Sequence, residues 1–218
     1  MGGGALEVSG VVLAAGGGTR MGQPKLLVPL EGKPLLQWVL ERVERLPLAE
    51  RVLVLGAHAD LVLRSLFPLA NRSLPAGARC VLSRHGSLPP WLVVRNPCWA
   101  EGMSTSLRAA AQVARHGLLV FLGDMPWVPE EGARAVLAHV GDRPVALGFR
   151  GQRGFPVYLP LSLRPEILKL SGDRGARDLL GNCWVLEWDH PGVVRDVDTP
   201  EDLTSSIADH ERHVWADR

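Results

Sequence analysis

The sequence predicts a three-layer α/β domain: a doubly wound, mostly parallel sheet with helices on both faces. Three observations carry this prediction. Short apolar runs alternate with longer segments whose apolar residues recur at helical spacing. The first apolar run breaks directly into Gly16, Gly17 and Gly18, as a strand does when it feeds a ligand-binding turn. The most apolar short run, Gly117–Leu122, reads as a central strand buried on both faces.

Taken in order, residues 1–8 read as a flexible arm and Ser9–Leu13 as the first strand. Lys25–Leu30 reads as a short extended piece. Pro34 is pre-set to open a helix, with Leu35, Leu36, Val39, Leu40, Val43 and Leu46 on its inner side. Val52–Leu55 is a second strand, and Ala59–Leu66 is a helix stopped by Pro68. Arg79–Leu82 and Trp91–Val94 are short strands separated by a loop. Ser104 or Thr105 caps a helix over Ser106–Arg115, where Ala109, Ala110 and Ala111 are strong helix formers. After Gly117–Leu122 come a helix over Glu130–Val140, strands at Pro144–Leu147 and Pro156–Leu159, and a helix over Leu163–Leu170. A further short helix runs through Leu180, Trp184–Trp188 is a late strand, and Val193–Val197 reads as an apolar strand leading into Asp198. Thr199 caps a last helix that Pro200 opens, and residues 204–218 form an exposed helical tail. No repeat or long linker divides the chain, so 9–203 is expected to be one domain.

Composition excludes several classes. A hydrophobic fraction of 46% and a charged fraction of 22% are those of an ordinary globular protein. A net charge of +1 gives no electrostatic footprint for nucleic acid or a membrane surface. Cys80, Cys98 and Cys183 lie far apart, which suggests neither a disulfide framework nor a zinc site. The N-terminus lacks a signal-peptide pattern, and no apolar run reaches the ~20 residues of a membrane span. A cytoplasmic protein is expected. The seven tryptophans are scattered and suit core or pocket-wall packing.

The stretch Val11–Leu27 reads VVLAAGGGTRMGQPKLL. Glycines let the backbone approach an anion closely, and their N–H groups form a nest for phosphate oxygens. Arg20 and Lys25 add positive charge. On residues alone, a phosphate loop and a plain turn with two solvated cations are equally supported. The register excludes a P-loop, because Gln23 and Pro24 follow Gly22 where Lys and Ser or Thr are needed. It also excludes the dinucleotide fingerprint, which would place a glycine at Met21.

LAAGGGTRMGQPKLL resembles the signature of the nucleotidyltransferases that build dinucleotide forms of the molybdenum cofactor, and its R-M-G-x-x-K core is specific. The resemblance implies a Rossmann-like nucleotide-diphospho-sugar transferase fold. It also implies nucleotide binding by Leu13, Ala14, Ala15, Gly16, Gly17, Gly18, Thr19, Arg20 and Lys25.

Asp124 and Asp198 each follow an apolar run and are expected at the carboxyl ends of strands, where ligands bind in open α/β sheets. Two carboxylates opposite a phosphate loop suit Mg²⁺, a hard cation that also uses substrate phosphates. Alternation puts Asp196 on the same face as Asp198, so the spacing leaves both open; the family register favours Asp198. NPCWAEGMSTSL, from Asn96 to Leu107, resembles a stretch of the cytidylyltransferase branch that lies near the nucleoside. This implies roles for Asn96, Gly102 and Ser104, with Ser106 also in reach of a ribose or phosphate. Gly172–Arg177 is similar to the acceptor-side motif and implies that Arg174 and Arg177 clamp the acceptor's phosphate. Phe155 departs from the pattern, standing where many relatives carry His or Asn.

Together these imply a Mg²⁺-dependent transfer of CMP from CTP to molybdopterin, with Arg20, Lys25 and Asp124 catalytic and a molybdoenzyme as recipient of the product. The alternatives are a guanylyltransferase or sugar-phosphate nucleotidyltransferase on the same fold, or a non-catalytic maturation factor that binds nucleotide.

Overall fold

A computed structural model describes residues 6–18, 23–67, 73–84, 86, 89–172, 179–199 and 201–203. The strands are β1 (Leu6–Ala14), β2 (Pro29–Leu30), β3 (Lys33–Pro34), β4 (Leu48–Leu55), β5 (Arg79–Leu82), β6 (Trp91–Arg95), β7 (Gly117–Leu122), β8 (Val145–Phe149), β9 (Gln152–Leu159) and β10 (Trp184–Glu187). The α-helices are α1 (Leu35–Glu44), α2 (Ala59–Leu66), α3 (Met103–Val113), α4 (Glu130–Leu137) and α5 (Arg164–Lys169). The main sheet runs β10-β8-β9-β7-β1-β4-β6-β5, while β2 and β3 form a separate ribbon. β1 pairs parallel with β4 and β7, whereas β5 and β9 run antiparallel to their neighbours. The doubly wound, mostly parallel expectation therefore holds.

Side-chain alternation along β1 explains the three layers. Val8, Val12 and Ala14 join one core with α1, α2 and α4; Val11, Leu13 and Ala15 join the other with α3 and α5. Burying each such Val or Leu contributes about 1.5–3 kcal/mol. α1 shows the same logic at helical spacing, burying Leu35, Leu36, Val39, Leu40 and Val43. No described helix is long and apolar enough to cross a membrane.

Several boundaries differ from the sequence reading. β1 begins at Leu6, not Ser9, because its first residues already pair with Leu48 and Gly117, taking 6–8 out of the expected arm. Lys25–Leu27 is a 3-10 turn, followed by β2. β8 and β9 are arms of a tight hairpin whose central residues, Arg150 (φ 51°) and Gly151 (φ 79°), both take positive φ, as a type I′ turn requires. Val193–Val197 is not a strand. Pro191–Val193 forms a 3-10 turn packed against β8 and β9, and Val193 and Val197 are buried in the core on that side without pairing into the sheet. α3 starts at Met103 rather than Ser106, since Gly102 takes the cap position at φ 112°, a conformation reserved for glycine. The expected helix before Leu180 lies mostly outside the described residues, as does the tail at 204–218.

Candidate active site

The chain leaves β1 toward β4 on one side and returns to β7 on the other, so β1 and β7 flank a topological switch point. The loops beyond the two strands diverge there and leave a crevice. A cavity of about 390 Å³ occupies it. One wall is Leu13–Gly18 with Lys25 and Leu26, another is Trp99, Ala100, Gly102 and Met103 with Ser106, and Leu122 and Asp124 complete the lining.

The glycine loop is held at three points. Ala15 O accepts from the Ala57 N–H (3.2 Å), Leu13 O from the Gly123 N–H (2.9 Å), and Gly18 O from the Lys25 N–H (3.0 Å). Two glycines admit the Trp99 ring. A Cβ on Gly17 would come within 2.7 Å of its Cζ3, and one on Gly56 within 2.7 Å of its Cβ. Leu13, Ala14, Ala15, Gly16, Gly17 and Gly18 all line the cavity. Thr19 and Arg20 lie outside the described residues.

Lys25 joins the loop to both aspartates. Its Nζ donates to Asp124 Oδ2 (2.6 Å) and Asp198 Oδ1 (3.0 Å). Burial alone would push the ammonium down, but the charges and hydrogen bonds of Asp124 and Asp198 outweigh it and hold Lys25 above its ordinary value. Asp198 reaches this position through its neighbours. The Val197 N–H donates to Asp124 O (3.0 Å), tying the two loops together. Asp202 Oδ2 accepts from the Asp198 N–H (2.9 Å) and the Thr199 N–H (2.7 Å), while Thr199 Oγ1 accepts in return from the Asp202 N–H (3.4 Å). That reciprocal pair is a capping box, which bears out Thr199 as the cap. Partial desolvation of its carboxyl group, followed by the charges of Asp124 and Asp198, raises the pKa of Asp196, the competitor. It is Asp198, not Asp196, that shares Lys25 with Asp124.

The Asn96–Leu107 segment behaves differently from the sequence reading. Asn96 is buried and turned inward: its Nδ2 donates to Thr105 Oγ1 (2.8 Å) and Ser106 Oγ (3.0 Å), and its Oδ1 accepts from the Cys98 N–H (2.9 Å). Both of the amide's donors tie the loop to α3. Ser104 is fully buried and does not line the cavity; Gly102 and Ser106 do. Arg174 and Arg177 lie outside the described residues. Phe155 packs against both hydrophobic cores, so its loss of polarity relative to the family pattern is matched by a packing role. Trp99 and Met103, not singled out from the sequence, are the cavity's exposed apolar wall.

The donor set suits a divalent cation. Asp124 and Asp198 supply hard oxygen ligands close enough together to share one ammonium. Among the described residues no three His, Cys, Asp or Glu side chains gather into a metal-binding group, so the remaining ligands would be substrate oxygens and water.

An open α/β sheet with a glycine loop, a lysine and paired carboxylates at its switch point defines an enzyme that handles nucleotide phosphates. The MobA-like NTP transferase domain matches residues 10–190, and the chain belongs to that family of nucleotidyltransferases. It is 31% identical over 212 residues to nicotine blue oxidoreductase of Paenarthrobacter nicotinovorans, spanning 90% of this chain and 94% of that one. It is 22% identical over 200 residues to the molybdenum cofactor cytidylyltransferase of Escherichia coli (strain K12), spanning 90% and 93%. Among solved structures, Rv0371c from Mycobacterium tuberculosis H37Rv superposes with a TM-score of 0.75 at 26% identity, covering 94% of this chain and 99% of that one. The same protein in complex with manganese gives a TM-score of 0.67 at 26% identity, covering 91% and 96%.

Proposed function

We propose that the protein transfers CMP from CTP to the phosphate of a molybdopterin-type acceptor, using Mg²⁺ and releasing pyrophosphate. The observation that carries the reading is Lys25, whose Nζ bridges Asp124 and Asp198 at the glycine-loop cavity. An acceptor phosphate oxygen forms the new bond to the α-phosphorus, and the bond from that phosphorus to the bridging oxygen of pyrophosphate breaks. The acceptor is already an anion and needs no strong base, so the protein's contribution is positioning and charge stabilisation.

Each group has a task in this scheme. The backbone of residues 15–18 cradles the phosphates, while Lys25 and Arg20 neutralise the charge that accumulates on departing pyrophosphate. Asp124 and Asp198 hold the cation, which offsets negative charge on the phosphate oxygens when bound. Gly102 and Ala15 shape the nucleoside side of the cavity; Asn96 and Ser104 support that wall from behind. Arg174 and Arg177 take the acceptor's phosphate. The product passes to a molybdoenzyme, and the whole process is cytoplasmic, with no nucleic acid or membrane as partner. The cytidylyltransferase relative and the manganese complex of the mycobacterial relative support the acceptor and the divalent cation. The test is pyrophosphate release from CTP with molybdopterin and Mg²⁺, which chelation should abolish.

A further inference from the structure

The cavity wall facing the glycine loop is built in a way that the phosphate chemistry does not explain. Trp99 is 36% exposed and Met103 43% exposed, yet both line the cavity, where large apolar surface is normally kept from water. The indole is not a loose surface side chain. Its Cβ and Cγ lie where a Cβ on Gly56 would come within 2.7 and 2.8 Å, and its Cζ3 and Cη2 lie where a Cβ on Gly17 would come within 2.7 and 2.8 Å. The side chain therefore spans from the end of β4 to the middle of the glycine loop, seated on two bare backbones. A ring wedged in this way loses little rotamer freedom when a ligand arrives, so a contact made on it costs little ordering entropy.

We propose that Trp99 is the platform on which the planar base of the bound nucleotide stacks, with Met103 extending the apolar wall. This inference rests on the nucleotide-binding reading of the same cavity. A rigid, partly exposed indole beside a phosphate cradle offers a π-face to a heteroaromatic ring, and such stacking depends little on which base is present. Trp99 thus supplies affinity for the base as a ring, and the choice between bases falls to the polar groups around it.

The experiment measures binding of CTP and of inorganic tripolyphosphate by calorimetry, with Mg²⁺, to the wild type and to Trp99→Phe, Trp99→Leu and Trp99→Ala. Losing the ring should weaken CTP about 5- to 150-fold in the Leu and Ala variants, while Phe stays within a few-fold of wild type. Tripolyphosphate has no base, and its affinity should be unchanged in all four proteins. Parallel weakening of tripolyphosphate would mean that the indole only braces the loop and would overturn the proposal. So would unchanged CTP affinity in Trp99→Ala, or recovery by Leu as complete as by Phe. A wild type that binds CTP but releases no pyrophosphate with any acceptor would refute the transferase reading alone; one that binds no triphosphate would refute both.

Discussion

Lys25 Nζ lies 2.6 Å from Asp124 Oδ2, joining residues 99 positions apart across the switch point of the sheet. The side chains are 16% and 23% exposed, so the pair is largely withdrawn from water, and Asp198 completes a cluster of one positive and two negative groups. Removing one member of such a cluster costs more than a surface ion pair would, because it leaves partly desolvated charge uncompensated. The three groups carry a net charge of −1, which a divalent cation would turn to +1, the sign that attracts a polyphosphate.

Asp124→Asn keeps the shape of the side chain and removes a charged oxygen ligand. Turnover should fall about 10²–10³-fold, and the thermal midpoint should fall as well, because Lys25 keeps only Asp198 as its partner. Steady-state pyrophosphate release decides this, and turnover like that of the wild type would remove Asp124 from the site.

Lys25→Ala should lower kcat more than nucleotide affinity, because its charge counts most as pyrophosphate departs. Separate measurement of kcat and of the CTP dissociation constant tests it. A loss confined to affinity would make Lys25 a binding residue alone.

Gly102→Ala forces a side chain into a backbone with φ 112°, where only glycine is at ease. The expected cost is about 1–3 kcal/mol, with about 2–4 °C of melting temperature lost per kcal/mol. Gly16→Ala is the matched control, since its φ is not positive and nothing lies within 4 Å of the added Cβ. Equal melting temperatures for the two variants would contradict the assignment.

How legible the site was in the sequence depended on the range of the interaction. Val11–Leu13 running into Gly16 was local information, and it located both the central strand and the loop correctly. The pairing of Lys25 with Asp198 spans 173 positions, and the sequence supplied only the residue types. The hydrogen bonds from Asn96 to Thr105 and Ser106 were not legible either, because a buried amide that ties a loop looks, in sequence, like one aimed at a base. Val193–Val197 was misread because its apolar residues report burial, not membership of a sheet. Trp99 was one of seven scattered tryptophans until its contact with Gly17 and Gly56 was visible.

Glu50 gives a pH dependence away from the site. Burial pushes its carboxyl up, but hydrogen bonds from Ser9 Oγ (2.5 Å), the Arg115 N–H (2.5 Å) and the Arg115 side chain (3.1 Å) outweigh that and hold it below its ordinary value. A folded-state pKa below the unfolded value of about 4.3 contributes stability above that pH, and the contribution disappears as pH falls through the folded value. Unfolding of wild type and Glu50→Gln across pH 7 to 3 should show a gap that closes below about pH 4.3. A constant gap would show that the carboxylate charge is not what stabilises this corner.

Cytidylyl transfer is read out by incubating the protein with molybdopterin, Mg²⁺ and equal concentrations of CTP and GTP, then identifying the dinucleotide products by mass spectrometry. On the proposed reading, the methyl of Ala15 in the cavity lining would favour a one-ring base, and a base of the wrong polarity would leave buried groups unpaired at about 1–3 kcal/mol each. The cytidine dinucleotide should form in about 5- to 150-fold excess, with pyrophosphate released in equal amount. Equal use of both triphosphates, or an excess of the guanosine product, would contradict the cytidylyl assignment, and no dinucleotide from either would contradict molybdopterin as the acceptor.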